Sequence, residues 1–519
     1  MRIGLASIFS FRPHVEHLIY LARLMEHQGH SVAGFTCDAG VTHCYGRLLR
    51  RRSRLRECSA CILGGVRSYP LAEVRAADAG SEVPMEPGLI RRLTLSSAAT
   101  IERTETAEDL NSPEVAAVLG ALERPIRVMY GSAQRWIRDE GIEGVLLFNG
   151  RMDMTAAVRA ACDSLGVPFV TVERAWFGHG LMLVPNQDCL GLVDVRRMSR
   201  EYGDVHLSEV QAARAGRIAA QRFRAQNRLE WRLYNPDALQ AGWPNSAPRG
   251  ERVLILPSSR NEFEAHPDYA CDWPDYTLAI DKVLRHLGIP PQHCVLRCHP
   301  NWAQRIGANT GWRSSAHYGA WARRTGITLI ESAERLSTYD LIEAADYVIV
   351  NGSSAGVEAG LRGKHVVSVG CASYDHADFV VPVLRESDLA ALDALSHRSR
   401  LDTMRAALRY VYTHGWRFTQ YVDFVRGITT AEYRYRPGAD PRRLERILKS
   451  GRLEADDERC CHSAEYEEAV LGRLAEADWA ALAGGDDEVE SSARSFQVQR
   501  RRGLRWLDRA RNLLPRGDL

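Results

Sequence analysis

Residues 348–359 read VIVNGSSAGVEA, and this stretch decides the predicted fold class. Its apolar run is typical of a buried strand, and the small residues after it indicate a turn into a helix. Backbone amides and hydroxyls at such a helix start favour an anion. The candidate ligand-binding residues here are Asn351, Gly352, Ser353, Ser354 and Glu358. For the two serines the alternative is a plain helix N-cap.

Two further stretches predict strands that end in polar residues. Residues 295–300 read VLRCHP and offer Arg297 and His299, with a structural turn histidine as the alternative for His299. Residues 254–262 read LILPSSRNE, and the loop candidates are Ser258, Ser259 and Arg260. An ordinary turn rich in Ser and Asn is the alternative there. Because parallel strands deliver their carboxyl ends to one edge of a sheet, we expect these residues to share a crevice.

The chain is too long, at 519 residues, for one ordinary core, so two α/β domains are expected. Alternating strands and helices with short connections predict parallel sheets. The predicted division is 1–195 for a first domain with a Cys-rich insertion at 37–61, 196–250 for a helical segment and linker, 251–427 for a second domain, and 428–519 for a polar tail.

Local patterns predict the individual elements. The predicted strands are 2–8, 31–35, 144–149, 168–172, 252–257, 294–298, 327–330, 346–350 and 365–369. The helices predicted with bounds are 13–28, where apolar residues recur at helical spacing, 153–165, and an amphipathic helix at about 400–427. Residues 244–250 are rich in Pro, Ser and Gly and form the best linker candidate.

Composition narrows the classes of protein. The net charge is +2, from 67 basic and 65 acidic residues, which gives no support to a nucleic-acid binder. The sequence contains no apolar run long enough for a membrane-spanning helix, and its N-terminus resembles a first strand more than a signal peptide. We therefore expect a cytoplasmic protein.

Residues 494–514 combine apolar side chains with seven arginines. As a helix this segment would be basic and amphipathic, and it could lie on an anionic membrane surface at the inner face. The alternative is a helix packed on its own protein with a solvated basic face.

Four of the twelve cysteines are clustered, at Cys37, Cys44, Cys58 and Cys61. The gap of two residues between Cys58 and Cys61 is typical of tetrahedral zinc sites, and an iron–sulfur cluster uses the same ligands. We predict a structural zinc ahead of an iron–sulfur cluster, with free or buried thiols as the alternative. His43 could replace one ligand.

The candidate residues of the second domain suit a donor that leaves a phosphate or diphosphate. Without a metal, helix N-termini, hydroxyls and cations stabilise the developing charge. His299 would contact phosphate or nucleobase, Ser353 and Ser354 would bind phosphate oxygens, and Glu358 would accept hydrogen bonds from ribose hydroxyls. The sequence has no convincing Asp-x-Asp motif at a strand end, so we expect transfer without a metal cofactor.

The acceptor hydroxyl needs a base, which we expect from the first domain. Glu173 is the first candidate, because it ends a strand and precedes the run RAWFGHG at 174–180. His14 is the second candidate and Asp153 the third. Asn149 and Arg151 are candidates for binding acceptor hydroxyls. The alternatives are a salt bridge from Glu173 to an arginine such as Arg174, and capping or surface roles for the others.

Several motifs carry a resemblance to a known family. LRCHP at 296–300, ADYVIVNGSS at 345–354, GVEA at 356–359 and GKHVVSVG at 363–370 resemble bacterial capsule polysaccharide biosynthesis proteins, which include Kdo transferases. The histidine–proline and paired-serine elements are also similar to bacterial sialyltransferases and CDP-glycerol polymerases. The resemblance implies a GT-B fold, with two Rossmann-like, doubly wound domains facing a cleft. It also implies a glutamate base at the position of Glu173.

The prediction is therefore a glycosyltransferase that uses a nucleotide sugar of the CMP or UDP type and a surface polysaccharide or lipid-linked glycan as acceptor. Three alternatives stay open: a CDP-glycerol or CDP-ribitol phosphotransferase, a UDP-sugar 2-epimerase, and a non-catalytic nucleotide-sugar-binding subunit of a glycan export assembly. The sequence departs from the family pattern at Gly352, where a capping residue is expected, and at His365, where a proline is usual.

Overall fold

The computed structural model describes residues 1–229, 238–244, 250–264, 266–455, 457, 463–484, 496 and 498–508. Residues 245–249 of the predicted linker and parts of the predicted helix at 494–514 lie outside the described residues. Two separate sheets dominate the described part of the chain, and both are built mainly from parallel strands. The predicted α/β fold class is confirmed.

The strands are β1 Arg2–Ala6, β2 Ser31–Thr36, β3 Glu73–Ala76, β4 Gly144–Phe148, β5 Phe169–Arg174, β6 Leu181–Pro185, β7 Val253–Leu256, β8 Cys294–Arg297, β9 Thr328–Ile330, β10 Tyr347–Val350, β11 His365–Ser368, β12 Val380–Pro382, β13 Thr419–Gln420, β14 Val425–Thr429 and β15 Glu432–Tyr435.

The helices are α1 His14–His27, α2 Tyr45–Arg50, α3 Arg54–Gly64, α4 Pro87–Glu102, α5 Pro113–Asp139, α6 Asp153–Leu165, α7 Val193–Tyr202, α8 Glu209–Phe223, α9 Tyr276–His286, α10 Trp312–Thr325, α11 Thr338–Ala344, α12 Ala355–Leu361, α13 Arg400–Tyr412, α14 Pro441–Ser450, α15 Glu465–Ala475 and α16 Trp479–Ala483. Within the described residues, no helix is long and apolar enough to span a bilayer.

The first sheet has the order β13-β6-β5-β4-β1-β2-β3. Strands β1 to β5 are parallel, whereas β6 runs antiparallel to β5, and β13 antiparallel to β6. The chain order changes direction between β1 and β4. In a doubly wound sheet that reversal opens a crevice beyond the strand ends, and His14 and Asn149 follow these two strands.

The second sheet has the order β12-β11-β10-β7-β8-β9, and every neighbouring pair is parallel. Strands β7, β8 and β10 are fully buried, as expected for a sheet covered by helices on both faces. Here the order reverses between β7 and β10, so the loop after Val350 lies at the reversal point.

The structure differs from the predicted domain boundaries near residue 412. The predicted helix 400–427 ends as α13 at Tyr412, continues as a π-helical turn over Thr413–Phe418, and gives way to β13, which joins the first sheet. The two residues of β13 carry too short a pattern to predict from sequence. The chain therefore returns to the first domain before residue 427.

The predicted polar tail also differs, because its described parts are folded onto the two domains. Helix α14 has Leu444, Ile447 and Leu448 in the first core. Helices α15 and α16 pack against α8, and Leu471 and Leu482 belong to a core of the second domain. Their apolar residues recur at helical spacing among many charges, and this pattern is weak evidence in an acid-rich region.

A docked segment of the first domain holds the two units together. Arg103 is 2% exposed and donates from its guanidinium to the Asn301 and Gln304 carbonyls. Ser314 Oγ donates to Glu105 Oε2 over 2.6 Å. These buried polar contacts fix one side of the cleft that separates the sheets.

Candidate functional site

A cavity of about 940 Å³, including its open mouth, lies at the carboxyl edge of the second sheet. Its wall contains the ends of β7 and β8, the turn before α12, and α11. The predicted residues that line it are Arg297, His299, Ser353, Ser354 and Glu358. The imidazole and the paired hydroxyls, which are far apart along the chain, therefore meet around one space. Trp176 reaches the same cavity from the first domain.

His299 is held by the turn that follows β8. Its Nδ1 accepts a hydrogen bond from the Asn301 amide at 3.1 Å, which caps the short 3₁₀ turn Pro300–Trp302. With Nδ1 as acceptor, the proton of the neutral ring lies on Nε2. A donor of this kind at the cavity wall suits a phosphate oxygen or a nucleobase carbonyl.

The side chains of Ser353 and Ser354 make different contacts. Ser353 Oγ accepts from the Ala355 amide at 3.3 Å, so Ser353 makes part of the turn. Ser354 is the N-cap residue of α12, but within the described residues its side chain makes no capping hydrogen bond to that helix. The plain N-cap alternative therefore does not account for the Ser354 hydroxyl. Both serines remain candidates for phosphate contacts.

Gly352 and Asn351 shape the turn. Gly352 has φ of 94°, and a Cβ there would lie 2.7 Å from the Cys371 carbonyl oxygen, so a side chain is excluded. This explains the departure from the expected capping residue. Asn351 is 4% exposed. Its Oδ1 accepts a hydrogen bond from the Ser258 amide, and its Nδ2 donates to the Ser258 carbonyl. Asn351 thus ties β10 to the loop after β7.

Three other predicted donor contacts point their polar groups away from the cavity. Arg297 is 3% exposed and donates to the carbonyls of Cys298, Glu331 and Glu334, and burial lowers its pKa. Ser259 accepts from Trp302 Nε1 at 2.7 Å. Arg260 pairs with Glu264 at 3.2 Å. Ser258, Ser259 and Arg260 are not among the cavity-lining residues, so the structure brings them near the site without placing them in it.

Glu358 forms a buried ion pair that the sequence did not predict. Its Oε1 contacts the guanidinium of Arg222 at the end of α8, and the two side chains are 6% and 3% exposed. The same guanidinium lies over the rings of Trp176 and Phe177, at 5.1 and 5.3 Å from their centroids. Arg222 therefore connects the first-domain aromatic loop to the helix that carries Glu358.

A second cluster lies where β1, β4 and β5 end in the first sheet. His14 Nδ1 is 3.2 Å from Glu173 Oε1, and Asn149 Nδ2 donates to Glu173 Oε2 at 3.1 Å. The Arg174 amide donates to Glu173 Oε1 at 3.0 Å. The structure thus brings together the first two candidate bases and one candidate acceptor-binding residue. The Glu173 side chain keeps 21% of its surface exposed.

Burial sets the charge states in this cluster. Desolvation raises the pKa of Glu173, while nearby Arg174 and the hydrogen bonds from Arg174 and Asn149 oppose that rise. Desolvation and the Arg174 charge hold the pKa of His14 well below its usual value, so the ring is neutral near pH 7. A carboxylate with a raised pKa beside a neutral imidazole is a suitable general base.

Asp153 and Arg151 lie apart from this pair. Asp153 begins α6, is fully buried, and accepts from the Met154 amide at 2.6 Å. Burial raises its pKa to about 7, but it has no exposed surface from which to reach an acceptor. Arg151 donates from Nη1 to Ser96 and Thr100 hydroxyls at 2.8 and 3.0 Å. These two hydrogen bonds hold its guanidinium against α4.

The two clusters are close along the chain. Glu173 precedes the cavity residue Trp176 by three positions, so their Cα atoms are separated by at most roughly 11 Å. The candidate base and the cavity therefore lie in one region of the molecule. Sequence reasoning missed Arg222 because α8 is one of several Arg-containing helices, and no local pattern distinguishes this arginine from the solvated ones.

The four clustered cysteines line one further cavity, between α3 and the end of β2. Burial raises the pKa of Cys61 to about 11, that of Cys44 well above its usual value, and that of Cys37. Metal ligation requires thiolates. Among the described residues no group of three or more His, Cys, Asp or Glu side chains is arranged to hold a metal ion. A metal at this cluster stays a prediction.

No family model and no curated protein sequence matches the chain. Among solved structures, the chain is similar to a KpsC beta Kdo 2,7 transferase from Thermosulfurimonas dismutans, with 14% identity, 67% of this chain and 89% of that chain covered, and a TM-score of 0.33.

Two further similar structures are a UDP-GlcNAc 2-epimerase from Methanocaldococcus jannaschii and MurG from Acinetobacter baumannii. The epimerase shows 10% identity over 77% of this chain and 93% of that chain, with a TM-score of 0.28. MurG shows 11% identity over 86% of this chain and 99% of that chain, with a TM-score of 0.27. At these values the likeness does not bear on substrate or reaction.

Proposed function

We propose that this chain is a GT-B glycosyltransferase that moves a sugar from a nucleotide-activated donor of the CMP or UDP type to a surface polysaccharide or lipid-linked glycan. The observation that carries the proposal is the shared cavity of His299, Ser353, Ser354 and Glu358, with a candidate base three residues before Trp176 on its wall. A cytoplasmic enzyme that works without a metal cofactor is part of this proposal.

In the proposed reaction the second domain binds the donor. The Nε2–H of His299 and the hydroxyls of Ser353 and Ser354 donate to the phosphate oxygens, which gain charge as the glycosidic bond breaks. The Glu358 carboxylate, oriented by Arg222, accepts hydrogen bonds from ribose hydroxyls. Trp176 offers a flat apolar wall for the sugar or the base.

The first domain binds the acceptor and removes its proton. Glu173 takes the proton from the acceptor hydroxyl while that oxygen attacks the anomeric carbon and the nucleotide leaves with the bonding electrons. Asn149 orients the carboxylate, and the neutral His14 ring packs against Phe148, with a centroid separation of 4.2 Å, beside it. Partial exposure leaves room for the acceptor.

A donor panel tests the proposal. Purified protein is incubated with CMP-, CDP-, UDP- and GDP-activated compounds and a glycan acceptor, and the products are identified by mass. Transfer of a glycosyl group from one donor, lost in His299→Ala, supports the proposal. Transfer of glycerol or ribitol phosphate, or epimerisation without acceptor, would replace it with one of the alternatives. Nucleotide binding without any turnover would favour a non-catalytic subunit.

His286→Ala is the matched control for His299→Ala. His286 lies on the same domain, is partly exposed, and pairs with Asp393 at 2.8 Å on the surface. Its loss should leave turnover within about two-fold of the wild type, because surface pairs contribute little to stability. Equal losses in both variants would indicate a general effect of histidine removal.

A further inference from the structure

Helix α3 presents apolar side chains to solvent. Leu55, Ile62 and Leu63 are 81%, 38% and 49% exposed, whereas Glu57 on the opposite side is buried. At 100° per residue the three apolar side chains fall on one face of the helix. Scattered exposed apolar residues are ordinary, but several on one short helix mark an interaction surface.

Arginines surround this face. Residues 45–64 contain six arginines and one glutamate. Arg54 and Arg56 are exposed beside Leu55. The one acidic residue, Glu57, forms ion pairs with Arg50 and Arg52. The surface around the apolar stripe is therefore strongly basic.

A second segment, more than 400 residues away in sequence, lies against the C-terminal end of this helix. Arg500 Nη1 donates to the Leu63 carbonyl at 2.9 Å, and the Arg501 amide donates to the Ser68 carbonyl at 2.8 Å. These bonds fix residues 500–501 at the C-terminal end of α3. Next to them Arg502 and Arg505 are exposed, and Trp506 is 58% exposed.

We propose that this composite surface docks the protein on an anionic phospholipid bilayer. The α3 surface is defined by Leu55, Arg56, Ile62, Leu63, Arg502 and Trp506. Its arginines complement acidic headgroups, and its aliphatic and indole side chains enter the boundary between headgroups and acyl chains. A soluble polyanion would need the arginines alone, so the exposed apolar stripe favours a lipid surface.

The surface lies on the first domain, beside the chain that follows β2. The carboxyl end of β2 is at the same sheet edge as His14 and Asn149. The docking inference itself rests on surface composition and does not depend on the proposed transfer reaction.

Vesicle co-sedimentation of the full chain tests the inference without any donor or acceptor. The probes are vesicles of phosphatidylglycerol mixed with phosphatidylcholine, and of phosphatidylcholine alone. We expect at least ten-fold stronger partitioning to the anionic vesicles, and a several-fold loss when salt is raised from 0.1 to about 0.5 M. Leu55→Ser/Ile62→Ser/Leu63→Ser should weaken binding at least ten-fold, and Trp506→Ser should weaken it independently.

Leu401→Ser with Trp312→Ser is the matched control, because these side chains are 41% and 57% exposed on the second domain. The control should bind vesicles as the wild type does, and all variants should keep the wild-type unfolding temperature.

Equal binding to neutral vesicles, or full binding by the triple variant, would overturn the inference. Self-association of the wild type that the triple variant abolishes would instead assign the surface to a second copy. Transfer activity in detergent-free solution is measured separately, so failure here leaves the proposed function intact.

Discussion

At the scale of single residues, Glu173 carries the most specific chemical expectation. Its carboxylate is held by Asn149 and the Arg174 amide, and desolvation raises its pKa. Glu173→Gln keeps the shape and one acceptor oxygen but cannot take a proton. We expect kcat to fall by about 10²- to 10⁴-fold while nucleotide affinity is unchanged. A variant with normal kcat would remove Glu173 from the reaction.

The pH profile follows from the same carboxylate. A base must be ionised, so the rate should fall as pH decreases through the pKa of Glu173. Because that pKa is raised, the acidic limb of kcat/KM should lie above the usual range of a glutamate. The limb should disappear from the residual rate of Glu173→Gln. A limb at the same pH in both enzymes would point to another group.

At this scale the sequence predicted the position of a residue in the fold where that residue follows a strong strand signal. His299, Ser353, Ser354 and Glu173 each end or follow a buried apolar run, and all lie at strand ends. It could not judge side-chain direction. Arg297 follows the same rule, yet its guanidinium binds three backbone carbonyls, because a loop at 331–334 passes over it.

At the scale of elements, the pair between Arg222 and Glu358 joins α8 to α12. Arg222→Met would leave a buried carboxylate without this partner, and the expected cost is about 3–5 kcal/mol of unfolding free energy. Arg222→Met/Glu358→Gln should recover most of that loss, since the remaining groups are neutral. Denaturant unfolding of both variants gives the comparison.

A surface pair provides the control for that measurement. Lys282 and Glu386 are 2.5 Å apart, with side-chain exposures of 25% and 69%. Lys282→Met should cost less than about 1 kcal/mol, because solvent screens an exposed pair. If Arg222→Met costs no more than Lys282→Met, the buried pair does not stabilise the junction.

The sequence predicted the bounds of strongly periodic elements better than the elements that form only by pairing with distant segments. Helix 153–165 and the buried strands of both sheets agree with prediction within about two residues, because their periodicity is strong. The short strands β6 and β13 and the π-helical turn after Tyr412 were not predicted. Those elements are defined by pairing with distant segments, and such pairing leaves no periodic trace in a short sequence.

At the scale of the whole molecule, the docked segment around Glu105 couples domain contact to pH. Burial raises the pKa of Glu105 to about 7, while Ser314 opposes the rise by donating to it. The folded state therefore holds the proton more tightly than the unfolded state. Stability should fall as pH rises from about 4.5 to 7, and should be constant with respect to this group above that range.

Glu105→Gln removes that dependence. The variant should equal the wild type near pH 4 and be more stable at pH 8, by up to about 3 kcal/mol. Unfolding followed by denaturant at several pH values gives both curves. Parallel curves for the two proteins would show that Glu105 does not titrate between folded and unfolded states in this range.

The most direct test of the account is calorimetric titration of CMP, CDP, UDP and GDP into the wild type, His299→Ala, Ser354→Ala and the control His286→Ala. One nucleotide should bind the wild type and the control equally, and at least ten-fold more weakly both variants in the cavity. Undiminished affinity in His299→Ala and Ser354→Ala would contradict the assignment of this cavity to the donor.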